Sequence, residues 1–363
     1  MKEVLGKFGL SYYGLLLFLV LSLLTSTTFS QNDFYGICYG PFRQGQSPRG
    51  LYPSYEELEE DIQIINEHAS FVRTYGIDNS LAYIVQLCEV YNLPIYLGVW
   101  ISGEEATDQN TIADLIQITE QYSSVVKAVI VGNEYVYHNF HSGIEPVEYI
   151  MGIANQVQEL TDIPVTIAEP WDIWFVYPQL ATSVDFISVH IYSFFRGISV
   201  NSAAQDVINV YNAVKNKYSD QEVIILEVGW PTDGTIHGDA VPSEENQEQF
   251  LKDLILLTRQ NSINAFAFEF ADEPWKGVDI EGNWGLFYED RTPKSSTRNI
   301  TSNDKADINF DGVVNLLDYL YVANRWQEHT DPNNVCLPGD INQDGNVNIK
   351  DLQIFVESWL YGY

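Results

Sequence analysis

Two glutamates stand where apolar runs stop. In "AVIVGNE" the run 128–131 passes through Gly132 and Asn133 to Glu134; in "EVIILEVGWPT" a second run ends on Glu227, ahead of Gly229, Trp230 and Pro231. A carboxylate at the end of a hydrophobic strand is aimed at whatever lies beyond the strand. Two such carboxylates facing one site suit cleavage of a glycosidic bond. One donates a proton to the leaving oxygen, and the other attacks the anomeric carbon or activates water to do so. The transition state carries positive charge that an ionised Glu227 stabilises, while Glu134 must begin protonated. Either glutamate alone also reads as a helix cap or an arginine partner. Asn133, beside the acid, is placed to donate to a sugar 2-hydroxyl or to serve as a turn residue. Trp230, Trp275 and Trp284 are either sugar-stacking walls or core, and Tyr39 and Tyr192 are strand-end phenols suited to line the cleft and orient Glu227.

That chemistry needs strands that end on one side. Short apolar runs fall at 34–39, 71–75, 95–100, 128–131, 165–168, 186–191, 223–226 and 265–268. Between most of them, stretches with apolar residues three and four apart read as helices, at 55–68, 81–91, 112–122, 147–160, 203–218 and 244–260. A short helix fits around 174–180, between the fifth and sixth runs. Pro94 and Pro164 sit just ahead of strands, where a helix must already have stopped. Eight β/α units predict an α/β fold, a (β/α)8 TIM barrel, in which catalytic groups gather at the C-terminal ends of the strands. A doubly wound open sheet is the alternative, but it calls for a Gly-rich nucleotide turn after a strand, and the sequence has none. In the barrel, Glu134 ends the fourth strand and Glu227 the seventh, so both point into its mouth.

These stretches resemble glycoside hydrolase family 17, the β-1,3-glucanases and related transglycosylases. The resemblance runs from about Tyr35 to Phe287 through "YGICYGPF", "FVRTYG", "VGNE", "EVGWPT" and "FEFADEPWKG" followed by "EGNWGLFY". It implies that Glu134 is the acid/base and Glu227 the nucleophile, and it adds Glu273, Lys276 and Glu281 as polar site residues. It implies retaining, endo-acting chemistry on β-1,3-glucan with no catalytic cofactor. His190, in "SVHIYSFF", stands where many plant members carry an apolar or amide residue; it reads as a site residue or as a hydrogen-bonded core histidine.

After Lys294 the chain turns polar, and 295–304 reads as a linker between a barrel spanning 31–294 and a module spanning 305–363. The module repeats itself: "DINFDGVVNLLD" at 307–318 is echoed by "DINQDGNVNIKD" at 340–351. Oxygen ligands fall at loop positions 1, 3, 5, 9 and 12, with Gly at 6, which is EF-hand-like calcium spacing. The ligand set is Asp307, Asn309, Asp311, Asn315 and Asp318 in one loop and Asp340, Asn342, Asp344, Asn348 and Asp351 in the other. Val313 and Asn346 hold position 7, which supplies a backbone carbonyl. Asp at position 12 and a helix after each loop resemble a type I dockerin. The resemblance implies structural Ca2+ and a cohesin-bearing partner, with Leu316, Leu317, Ile349 and Lys350 at the positions that influence partner choice.

The chain of 363 residues carries 18 basic and 50 acidic side chains, a net charge of −32. That charge argues against nucleic acid or an anionic membrane surface as partner and fits a neutral substrate. Residues 1–30 read as a signal peptide: Lys2 and Lys7, then an apolar stretch at 15–24 too short to span a bilayer, then small residues before Gln31. A secreted protein without membrane insertion after cleavage is expected. Cys38, Cys88 and Cys336 lie far apart, permit at most one disulfide and lack metal-ligand spacing. A β-1,3-glucan transglycosylase sharing the same covalent intermediate, and a non-catalytic glucan-binding barrel, are the rival readings; a pure binder has no need of both glutamates.

Overall fold

The computed structural model describes residues 34–301, 305–310, 313–329, 337, 339–342 and 344–361. The expected signal segment, linker residues 302–304, Asp311 and Cys336 lie outside these residues. Eight parallel strands close into a barrel in sequence order. They are β1 (Phe34–Cys38), β2 (Ala69–Arg73), β3 (Ile95–Val99), β4 (Val126–Asn133), β5 (Val165–Pro170), β6 (Ile187–His190), β7 (Val223–Val228) and β8 (Ala265–Ala267). Around them lie α1 (Tyr55–His68), α2 (Ala82–Tyr91), α3 (Glu105–Gln121), α4 (Glu145–Leu160), α5 (Val200–Lys217) and α6 (Glu244–Asn261). The architecture is a (β/α)8 TIM barrel. Between β5 and β6 the connection is two short turns, Ile173–Val176 and Pro178–Ser183, close to the single short helix the sequence predicts.

The strands are apolar on both faces because one face lines the barrel and the other meets helices. β1, β3 and β7 are buried along their whole length. The barrel interior is aromatic-rich: Tyr35 stacks on Phe71 at 4.7 Å, and Tyr96 meets Phe266 edge-on at 4.9 Å. Gly36 makes room for this layer, since a Cβ there would lie 2.3 Å from the Phe266 ring. Helix starts follow local chemistry. Ser54 accepts from the Glu57 N–H while the Glu57 carboxylate accepts from the Ser54 N–H, a reciprocal cap on α1. Ser243 caps α6 in the same sense with its hydroxyl oxygen.

Beyond the barrel come α7 (Ser295–Thr301), α8 (Leu316–Asn324) and α9 (Ile349–Tyr361). The segment read as a linker is thus partly helical. Each repeated loop leads into a helix as its sequence demands, α8 with an Asn315–Asp318 capping box. Ala306, Ile308, Val322, Leu337, Ile341, Val347 and Phe355 form a small core under the two loops. No helix among the described residues is long and apolar enough to cross a membrane.

Candidate active site

β4 stops at Asn133 because the backbone turns sharply there: Gly132 and Glu134 both take left-handed φ values, 74° and 53°. Glu134 therefore stands one residue beyond the strand, at the head of the short turn Tyr135–His138. Its carboxyl is partly open, and Oε1 lies 2.8 Å from His190 Nδ1. Glu227 sits inside β7, paired in register with His190 of β6. It is buried and held from three sides. Oε1 accepts from Arg73 Nη1 and from the Tyr75 hydroxyl at 2.9 Å, and Oε2 accepts from the Tyr192 hydroxyl at 2.7 Å. His190 Nδ1 also lies 3.4 Å from Glu227 Oε2, so one imidazole stands between the two carboxylates. One oxygen of Glu134, one of Glu227 and a nitrogen of His190 all fall within 4.8 Å of one another.

Burial by itself raises the Glu227 carboxyl, but the His190 ring, the Arg73 guanidinium and the Tyr192 and Arg73 hydrogen bonds outweigh it and hold Glu227 down at about 2. The group is an anion at any working pH. Arg73 is buried at the end of β2, lies over the Tyr75 ring at 3.7 Å, and donates from Nη2 to Asn133 Oδ1 at 2.5 Å. That bond fixes the Asn133 amide with its NH2 group as the remaining donor. The same three ligand atoms of Glu134, His190 and Glu227 are spaced for a cation, but Arg73 already supplies the positive charge on Glu227.

The model of the BtgE/BtgC glycoside hydrolase domain matches residues 36–285. The chain belongs to this family. The model of the dockerin type I domain matches residues 305–360. Among curated proteins, the chain is 29% identical over 266 residues to a probable glucan endo-1,3-beta-glucosidase btgC of Aspergillus terreus, covering 64% of this chain and 40% of that protein. It thus spans less than half the length of that relative. It is 28% identical over 251 residues to a glucan 1,3-beta-glucosidase of Schizosaccharomyces pombe, covering 64% of this chain and 78% of the relative. Among solved structures, an active-site mutant of Rhizomucor miehei beta-1,3-glucanosyltransferase in complex with laminaritriose aligns with a TM-score of 0.64 at 25% identity, over 73% of this chain and 96% of that one.

The remaining candidates of this BtgE/BtgC-family barrel divide by burial. Trp275 is 43% exposed, its ring edge-on to Phe42. Trp230 and Trp284 are not sugar-stacking walls. Trp230 is fully buried between Phe194 and Phe250, with its indole N–H on the Val241 carbonyl, and Trp284 is buried behind Tyr192 and Phe268. Tyr39 does not orient Glu227: its hydroxyl donates to Asp61, which also takes Arg43 and Arg291, in a buried cluster away from the glutamates. Glu273 is buried rather than presented to a ligand, because it accepts from Trp275 Nε1 at 3.0 Å and pairs with Lys276 at 2.7 Å. Lys276 is shared with the fully buried Glu269, whose carboxyl burial pushes well above its usual range against the pull of the Lys276 ammonium. Glu281 is exposed to solvent; partial burial of its carboxyl raises it, Lys276 opposes the shift, and the charges of Glu134 and Glu227 add to it.

Sequence reasoning assigned no role to Arg73, Tyr75, Glu169 or Glu269. Arg73 and Tyr75 were visible in "FVRTYG", where a cation and a phenol follow an apolar strand as the two acids do. His190, left open between site and core, contacts both glutamates. Cys38 and Cys88 are both free and buried; the Cys38 thiol donates to the Leu226 carbonyl.

In the C-terminal loops Asp307, Asp318, Asp340 and Asp351 are buried. Asp318 accepts from the Ile308, Asn309 and Asn315 N–H groups, and Asp351 accepts from Asn342 and Asn348. Burial and the nearby Asp351 and Asp344 push Asp340 up to about 7. An all-oxygen set of crowded carboxylates of this kind fits a hard divalent cation.

Proposed function

We propose that this chain is a retaining β-1,3-glucan hydrolase acting by double displacement, with Glu227 as nucleophile and Glu134 as acid/base. The observation that carries the reading is that carboxylate oxygens of Glu134 and Glu227 lie within 4.8 Å of one another, beside His190, closer than the roughly 6.5–9.5 Å that inverting enzymes keep between their carboxyls to seat a water. Glu227, anionic and clamped, attacks the anomeric carbon as Glu134 protonates the leaving oxygen. Glu134 then deprotonates the incoming water. Asn133 contributes its amide N–H to the sugar beside the attack site, and Trp275 offers an open apolar edge to a further sugar unit. NMR of laminarin digestion is expected to show the β-anomer released first; initial release of the α-anomer overturns double displacement.

A second reading has a specific support, the similarity to the Rhizomucor miehei glucanosyltransferase. In it the same intermediate passes to a sugar acceptor. A product profile on laminari-oligosaccharides separates the two: shorter products for hydrolysis, elongated ones for transfer. The chain is read as secreted, with residues 1–30 removed. The module at 305–363 is read as holding two Ca2+ ions through Asp307, Asn309, Asp311, Val313, Asn315 and Asp318, and through Asp340, Asn342, Asp344, Asn346, Asn348 and Asp351. The ions supply fold stability there, and the exposed Leu316, Leu317 and Ile349 with Lys350 form the face for a cohesin-bearing partner.

A further inference from the structure

Near its end β5 carries a carboxylate that the double displacement does not use. Glu169 is fully buried. A buried carboxylate is costly unless its oxygens are hydrogen-bonded. Here Oε1 accepts from the Val136 N–H at 2.6 Å and Oε2 from the Tyr137 N–H at 3.1 Å. Those N–H groups belong to the short turn that starts immediately after Glu134. On the other side, the Glu134 N–H donates to the Ala168 carbonyl at 2.8 Å. The acid/base is thus pinned to β5 before and after itself. Between the pins it holds φ 53° and ψ 32°, a left-handed backbone that a glutamate rarely adopts unless its surroundings impose it. In that conformation its carboxyl meets His190. Burial raises Glu169 to about 8, partly offset by the two N–H bonds and added to by the charge of Glu134. A group kept under that penalty against the turn that carries Glu134 points to a task other than packing.

We propose that Glu169 is a positioning residue: by gripping the Val136 and Tyr137 N–H groups it holds Glu134 in its left-handed turn and so aims the proton at the leaving oxygen. The inference rests on the reading of Glu134 as the acid. A misaimed acid harms departure of a poor leaving group, such as a sugar hydroxyl. It does not harm departure of a dinitrophenolate, which leaves without a proton.

The test measures kcat/KM of the full chain on a laminari-oligosaccharide and on a 2,4-dinitrophenyl β-laminaribioside. For Glu169→Gln the first is expected to fall about 100-fold and the second to stay nearly unchanged. Equal loss on both substrates, or loss on neither, overturns the inference. If circular dichroism shows that Glu169→Gln does not fold, Glu169→Asp keeps the carboxyl group but shortens the reach and is read by the same split. Glu134→Ala runs in parallel. If it shows no split, the acid assignment falls and takes the inference with it. If it shows the split and the Glu169 variants do not, only the inference falls.

Discussion

At the scale of the residue, the site is a clamp on one carboxylate. Three donors hold Glu227, and each hydrogen bond to a charged group contributes about 1.5–3 kcal/mol. Tyr75→Phe and Tyr192→Phe are each expected to lower kcat on laminarin by roughly 10- to 100-fold. Tyr39→Phe removes a hydroxyl that serves Asp61 instead, so its kcat stays near wild type. A Tyr39 effect as large as the other two would break the clamp assignment. Glu227→Gln and Glu134→Gln are expected to lose about 10³-fold or more in turnover on laminarin while keeping the wild-type circular dichroism spectrum. The depressed Glu227 carboxyl also sets a pH dependence of stability. Its folded value, about 2, lies below the unfolded one near 4.3, so its contribution is complete above that unfolded range and is lost as pH falls through about 2. The stability gap between wild type and Glu227→Gln, read by urea unfolding, should therefore narrow as pH drops from about 5 towards 2. A gap independent of pH would contradict the pairing.

At the scale of the element, the segments after β7 and β8 show how far a motif can be trusted. Trp230 follows β7 closely, and by spacing alone it belongs to the site. Its side chain turns outward into the layer between barrel and α6, where it meets Phe250. Trp275, in the loop after β8, stays 43% exposed. The two tryptophans should therefore respond in opposite ways. Trp230→Ala leaves a core cavity and is expected to cost about 3–5 kcal/mol of stability. Trp275→Ala is expected to raise KM for long glucans with little change in Tm. Calorimetry and steady-state kinetics on both variants check the contrast, and a stable Trp230→Ala with raised KM would reverse it. The strand pattern itself was plain in the sequence because most strand residues are buried, those of β1, β3 and β7 along their whole length, and so are written in mostly apolar residues. Helix ends were less plain. α3 begins at Glu105, whereas the apolar spacing starts only at Ile112, because its first two turns are mostly solvent-facing.

At the scale of the whole molecule, chemistry and metal dependence are expected to separate. The glutamates are served by arginine, tyrosine and histidine, while the oxygen-rich loops lie in the C-terminal repeat. EDTA treatment of the full chain is expected to leave laminarin hydrolysis unchanged and to make the 305–363 segment susceptible to proteolysis, because ion binding there is folding free energy. Activity lost with EDTA and restored by Ca2+ would place a needed ion in the barrel instead.

The sequence by itself determined the barrel, the two glutamates and the repeated loops. Each is recorded locally: in continuous apolar runs, in acids set where those runs stop, and in fixed ligand spacing around a glycine. Only the tertiary structure decided what surrounds the glutamates. Arg73, His190 and Glu227 come from three different strands, and closing the barrel is what brings their side chains together. Tyr39 and Trp230 were misread for the complementary reason. Residues next to a strand end can point into the mouth or back into the packed layer, and which way they point depends on the twist and packing of neighbouring elements, which sequence spacing does not encode.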